Sequence, residues 1–177
     1  MHILDLVQNS IKAGAKNIDL SIEENRLGDT FSITIEDDGC GMSEEMTKAV
    51  TSPFVTSRTT RHVGLGIPLF KAGCDGCDGS FSLESEEGKG TRLYGVYRYS
   101  HIDRPPLGSI AETMLLLITG NPLVRFHYKR VVDELSYEID TQDLWRIWEG
   151  APVESSAIIA FLKDFFINNE TELCGGA

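Results

Sequence analysis

The chain has 177 residues, 41% of them hydrophobic and 24% charged, which suffices for one ordinary domain or a domain with a small appendage. Sixteen basic against 27 acidic residues give a formal charge of -11, which argues against coating nucleic acid or an anionic lipid surface. The longest apolar stretches, residues 114–118 and 157–162, fall far short of the roughly 20 residues that a bilayer span needs. The N-terminus lacks a signal-peptide pattern and four cysteines are too few for a disulfide scaffold, so a reducing cytoplasm is expected.

In chain order, Ile3, Leu4, Val7 and Ile11 recur at helical spacing, and Gly14 supplies a stop. Residues 17–22 and 30–35 alternate apolar with polar, and the turn residues 25–29 between them predict a hairpin. Ser43 opens a helix whose first turn holds Glu44 and Glu45. A loop over 52–63 leads to a helix over about 65–72, where Pro68 is tolerated only in the first turn. Residues 81–85 and 91–99 read as a second pair of strands. The segment SHIDRPPLG, 100–108, carries two prolines and marks a boundary between residues 1–100 and 101–177. Beyond it the pattern predicts a helix (108–119), two strands (123–131 and 135–139), two helices (141–148 and 154–166) and a frayed tail over 173–177. Trp145 and Trp148, three residues apart, read as core anchors.

Glycine is concentrated where chemistry would sit. Twelve of the seventeen glycines precede residue 101, and three pairs stand out: Gly39 with Gly41, Gly64 with Gly66, and Gly88 with Gly90. Asp37 ends a strand just before the first pair, so its carboxylate can accept from an exocyclic amine while the loop backbone lies close to a planar ligand. The second pair opens a helix, where free N–H groups and the dipole suit phosphate oxygens. On the first helix Asp5, Asn9 and Lys12 share one face. Each feature alone also fits a plain turn or a solvated helix face; their order and spacing are the stronger signal.

Together these segments resemble the GHKL ATPases, the superfamily of gyrase-type topoisomerases, large heat-shock chaperones, sensor histidine kinases and MutL mismatch-repair proteins. The first helix is similar to the N box, and residues 37–41, 64–66 and 88–91 are similar to the three glycine boxes, over about the first 100 residues. LVQNSIKAGAKNID and DDGCGM look like MutL, whereas SPFVTSRTTRHVGLGIP and GKGT look like a histidine kinase. The resemblance implies an α+β two-layer α/β sandwich, the Bergerat fold, over residues 1–100, with a small C-terminal α/β appendage over 101–177. It implies ATP and Mg²⁺ as cofactors. Asp37 would read the adenine amino group with the help of a water and Thr91, Asn9 would hold Mg²⁺, and Lys12 would contact phosphate. Gly39, Gly41, Gly64, Leu65 and Gly66 would complete the nucleotide site. Residues 57–62, with Thr60 and Arg61, would close over the triphosphate as a short lid; a mobile basic loop is the plainer reading. The family's water-activating glutamate is replaced by Asp5, one methylene shorter, so hydrolysis is expected to be slow or absent.

The function implied is that of a cytoplasmic ATP·Mg-binding domain, a regulatory ATPase or a histidine or serine kinase acting on a partner protein, without nucleic acid or membrane. An uncovered sheet edge would allow a homodimer. A non-catalytic ATP sensor is the alternative that Asp5 favours. A redox or metal-responsive regulator through Cys74 and Cys77, a C-x-x-C pair, is another, against small residues in a glycine-rich turn. His101, in a segment similar to the phosphoacceptor box of histidine kinases, is a weak acceptor candidate, since the double proline breaks a helix there.

Overall fold

A computed structural model describes residues 3–51, 65–148 and 155–175. Helix α1 (Ile3–Lys12) buries Ile3, Leu6, Val7 and Ser10, and the chain leaves it through Gly14 at φ +77°. Strands β1 (Asn17–Asn25) and β2 (Thr30–Asp37) form the expected hairpin. Helix α2 (Glu44–Val50) starts at Ser43, whose side chain accepts from the Met46 N–H. Helix α3 (Gly66–Gly76) holds Pro68 in its first turn, where no intrahelical donor is lost. Strands β3 (Ser80–Glu86) and β4 (Gly90–Arg98) follow, then α4 (Ile110–Gly120), capped by Ser109. Strands β5 (Arg125–Val132) and β6 (Leu135–Asp140) precede α5 (Thr141–Ile147), capped by Asp140, and α6 (Ser156–Gly175).

The six strands make one sheet in the order β3-β4-β2-β1-β5-β6, antiparallel except where β1 pairs with β5. Register sets its two faces. On one face Ile18, Leu20 and Ile22 of β1 stand opposite Asp37, Ile35 and Ile33 of β2 and opposite Phe126, Tyr128 and Arg130 of β5. Those side chains are buried and share one core with α1, α3, α4 and α6. The other face carries Thr30, Ser32, Thr34, Glu36, Asp19, Ser21 and Glu23, none of them buried. The result is two layers, with each fully buried Ile or Leu contributing about 1.5–3 kcal/mol.

The segment 99–109, where the sequence suggests a boundary, links β4 to α4. The strands that follow it continue the same sheet, because β5 lies directly beside β1. Of the frayed tail expected over 173–177, residues 173–175 are corrected: α6 runs to Gly175, and Leu173 is buried with only 5% exposure, while residues 176–177 lie outside the described residues. Leu162, Phe166 and Leu173 lie along one stripe of α6, and burial of that stripe outweighs the pull of the terminal glycines. Trp145 and Trp148 are partly buried against the core, with Trp148 edge-on to Phe161.

Candidate functional site

A cleft of about 210 Å³ opens between the C-terminal half of α1, the ends of β2 and β4, and the segment after Gly39. It is lined by Leu6, Asn9, Ser10, Lys12 and Ala13 from α1 and its end, Ile35 and Asp37 from β2, Cys40, Gly41, Met42 and Met46, Ile67, and Thr91 and Leu93 from β4. Of the residues singled out in the sequence, Asn9, Lys12, Asp37, Gly41 and Thr91 therefore converge. Gly39 sits at the same floor, its N–H donating to Asp37 Oδ1 at 2.9 Å.

Asp37 is buried at the last position of β2, directly opposite Thr91 of β4. Its second oxygen accepts from Ser10 Oγ at 2.6 Å. Each carboxylate oxygen thus already holds one donor, which fixes the plane of the group and leaves its remaining lone pairs for a ligand. Ser10 was not singled out in the sequence. Its signal is a polar residue beside Val7 and Ile11 on the apolar side of an amphipathic helix. Also in the cleft lining, Asn9 Nδ2 is buried without a hydrogen-bond partner among the described residues. An orphaned donor costs roughly 1–3 kcal/mol and points to a group that completes it on binding.

The loop that carries the first glycine pair is anchored at both ends. The Cys40 N–H donates to Ala13 O at 2.9 Å and the Gly88 N–H donates to Cys40 O at 2.8 Å. Asp38 ties the loop to β1, accepting from the Lys16 and Asn17 N–H groups at 2.7 and 2.9 Å and from Asn17 Nδ2 at 2.6 Å. Burial raises the Asp38 pKa, but these hydrogen bonds outweigh it and hold the carboxyl below its ordinary 3.8. A depressed carboxyl stabilises the fold above its unfolded pKa and loses that contribution as pH falls through the folded value. Wild-type stability is therefore expected to fall more steeply than that of Asp38→Asn once the pH drops below 3.8, read from urea midpoints along a pH series. Parallel slopes would show that these bonds do not form in solution.

The other sequence candidates sit elsewhere. Asp5 is exposed and outside the cleft lining, on the part of α1 that meets the start of α3; a Cβ on Gly66 would touch Asp5 Cβ at 3.4 Å. Leu65 precedes α3 and is 67% exposed. Thr60, Arg61 and Gly64, with the rest of the expected lid, lie outside the described residues. His101 lies beyond the opposite end of β4 from Thr91, and the seven strand steps from Thr91 to Arg98 alone span about 23 Å. It is held in a turn, its Nδ1 accepting from the Asp103 N–H at 3.2 Å and its Nε2 lying 3.9 Å from Asp78 Oδ2.

Cys74 and Cys77 are both buried, and burial pushes the Cys74 thiol up to about 11, so it is protonated at neutral pH. Among the described residues no group of three or more His, Cys, Asp and Glu is placed to hold a metal ion. The redox or metal-regulator alternative is not favoured. No helix among the described residues is long and apolar enough to cross a membrane.

A helix-backed mixed sheet with an N-terminal helix and two glycine turns framing one acid-floored cleft defines the class: a two-layer α+β nucleotide-site fold of the GHKL kind. The chain belongs to the histidine kinase-, DNA gyrase B- and HSP90-like ATPase family, whose model matches residues 2–98. It is 30% identical over 88 residues to sporulation kinase C of Bacillus subtilis, covering 50% of this chain and 20% of that one. It is 28% identical over 111 residues to the non-motile and phage-resistance protein of Caulobacter vibrioides, covering 58% and 13%. To the DNA mismatch repair protein MutL of Buchnera aphidicola it is 42% identical over 59 residues, covering 33% and 10%. The chain thus matches a fifth or less of the length of each of these relatives. Among solved structures, the Aquifex aeolicus MutL ATPase domain complexed with ADP superposes with a TM-score of 0.51 at 14% identity, over 83% of this chain and 67% of that one. That likeness shows the fold.

Proposed function

We propose that this chain is a cytoplasmic ATP·Mg²⁺-binding domain that acts as a regulatory ATPase or protein kinase on a partner protein. The observation that carries the reading is the meeting, in one cleft, of a buried carboxylate held as an acceptor and a buried amide nitrogen with no partner among the described residues. Asp37 accepts from the adenine amine, with Thr91 beside it. Asn9 presents its amide oxygen to Mg²⁺, and Lys12 reaches phosphate. Gly39 and Gly41 let backbone approach the nucleotide, Gly64, Leu65 and Gly66 are assigned to its phosphates as the second glycine box, and Thr60 and Arg61 to the lid over the triphosphate. Bound Mg²⁺ neutralises phosphate charge and orients the terminal phosphoryl group. Asp5 is the base that would activate water, and residues 101–177 supply partner specificity. The ADP complex of the MutL neighbour and the kinase named among the relatives support this reading.

The test is incubation with γ-labelled ATP and Mg²⁺, alone and with candidate partner proteins, against an Asn9→Ala control. Released phosphate or labelled protein that depends on Asn9 is expected. Binding without turnover under every condition would leave a nucleotide sensor in place of an enzyme, and no binding would end the reading. Asp37→Asn is expected to weaken ATP binding by roughly 1–3 kcal/mol, because a charge-assisted hydrogen bond becomes a neutral one and half of the amide faces the ligand as a donor. Calorimetry that returns the wild-type dissociation constant would remove the adenine assignment.

A further inference from the structure

Ser85 of β3 lies outside the cleft lining, yet its hydroxyl joins two of the glycine turns that frame the cleft. It accepts from the Met42 N–H at 2.9 Å, donates to the Gly90 carbonyl at 3.0 Å and lies 2.9 Å from Thr91 Oγ1. Register explains the arrangement: Ser85 pairs with Thr91, and Thr91 pairs with Asp37, so the three side chains stand on one rung of the helix-facing side.

A serine hydroxyl has one proton and two acceptor lone pairs. All three contacts are made at once only if the Ser85 proton goes to Gly90 O while its lone pairs take the Met42 N–H and the Thr91 O–H. If Ser85 donated to Thr91 instead, the Gly90 contact would be lost. The Thr91 proton is therefore committed to Ser85, and Thr91 offers the cleft an acceptor only. Asp37, already holding Ser10 and Gly39 as donors, offers acceptors only as well. Two neighbouring acceptors suit an exocyclic amine, which has two N–H groups, and disfavour a carbonyl in its place.

We propose that Ser85 is a specificity-determining positioning residue: by fixing the proton of Thr91 it makes the cleft take 6-aminopurine nucleotides in preference to 6-oxopurine ones. The inference rests on the nucleotide reading above and adds to it a residue that acts through Thr91.

The experiment compares dissociation constants for ATP and inosine triphosphate, by calorimetry, in wild type, Ser85→Ala, Ser85→Thr, Thr91→Val and the Ser85→Ala/Thr91→Val double variant. Wild type is expected to prefer ATP. Ser85→Ala frees the Thr91 hydroxyl to rotate and donate to a 6-oxo group, so the preference should shrink by about fivefold or more, the scale of one directed hydrogen bond. Ser85→Thr keeps the hydroxyl and should keep the preference. In the Thr91→Val background, Ser85→Ala should leave the ratio unchanged, which loss of strand stability alone would not predict. Ser85→Cys, whose sulfur is only a weak acceptor for the Thr91 hydroxyl, should give a smaller change of the same sign, so the outcome does not hang on one variant. Equal weakening of both nucleotides by Ser85→Ala, or an equal change of the ratio with and without Thr91, overturns the role of Ser85 and leaves the nucleotide reading standing. Failure of wild type to bind either nucleotide overturns both.

Discussion

Glu24→Ala is expected to destabilise the protein by about 3–5 kcal/mol, the scale for removing one partner of a buried ion pair. Arg130 is 1% exposed and sits on β5 opposite Ile22 of β1 and Tyr137 of β6. Its Nη2 pairs with Glu24, and its Nη1 donates to the carbonyls of Ile22 and Val131 at 3.4 and 3.2 Å. Its Nε has no hydrogen-bond partner among the described residues and lies 3.8 Å from Glu170 Oε2 on α6. Burial works against the guanidinium charge, and Glu24 first, with Tyr128 and Glu170, together offset it, so the Arg130 pKa ends up raised. An arginine cannot escape by losing its proton. Without Glu24 the charge stays buried, with Glu170 as its remaining acid. Glu170 is already engaged, accepting from Tyr137 Oη at 2.5 Å and Tyr128 Oη at 3.3 Å. Urea unfolding gives the loss directly. The double variant Arg130→Met/Glu24→Leu should lose less than Glu24→Ala alone, because it removes both charges and fills the space with apolar atoms. A loss below about 1 kcal/mol for Glu24→Ala would place that pair among ordinary surface bridges.

That pair also marks where local sequence signals stop. Helix α1 and the hairpin of β1 and β2 are legible because their information is local: Ile3, Val7 and Ile11 repeat at helical spacing, and Asn25 to Asp29 fill a turn. The position of β5 is not legible. Ile18 pairs with Phe126 across more than a hundred residues of chain, and hydrophobic alternation says that a strand exists without saying which strand it joins. For the same reason residues after the proline segment read as an appendage, although they complete the sheet. Leu173 reads as tail because two glycines and an alanine close the sequence soon after it; its burial depends on β5 and β6 lying beneath α6.

In the candidate site, residues that advertise themselves by type or spacing were legible: Asn9, Lys12, Asp37, Gly41 and Thr91 all line the cleft. Residues defined by their partners were not. Ser85 is an ordinary strand serine until β3 is placed against β4. Cys74 and Cys77 have the spacing of a reactive pair, and only their burial reveals that the Cys74 thiol is pushed toward its protonated form.

Gly41→Ala is expected to weaken nucleotide binding more than tenfold, whereas Gly88→Ala should change it by less than about threefold, although both glycines have a positive φ. The two differ in surroundings. A Cβ at Gly41, φ +63°, would fall 2.0 Å from the Glu86 carbonyl oxygen and 3.1 Å from that of Gly90. Those are backbone atoms of the turn between β3 and β4, so no side chain can rotate away and the loop itself must withdraw. Withdrawal would break the Gly88 N–H to Cys40 bond and the Met42 N–H to Ser85 bond, and it would move Gly41 and Met42, which line the cleft. A Cβ at Gly88, φ +79°, meets nothing within 4 Å. Its cost is confined to left-handed backbone strain, about 1–2 kcal/mol of stability, with the cleft left in place. Melting curves read the shared strain and titration with a fluorescent ATP analogue reads the difference. The strain can be relieved at Gly88 by Asn, which tolerates the left-handed region, but Gly41→Asn should be no better than Gly41→Ala, because the collision with Glu86 remains. If both alanine variants lose affinity equally, the loop and the hairpin turn are not in contact in solution, and the floor of the cleft is not the one described.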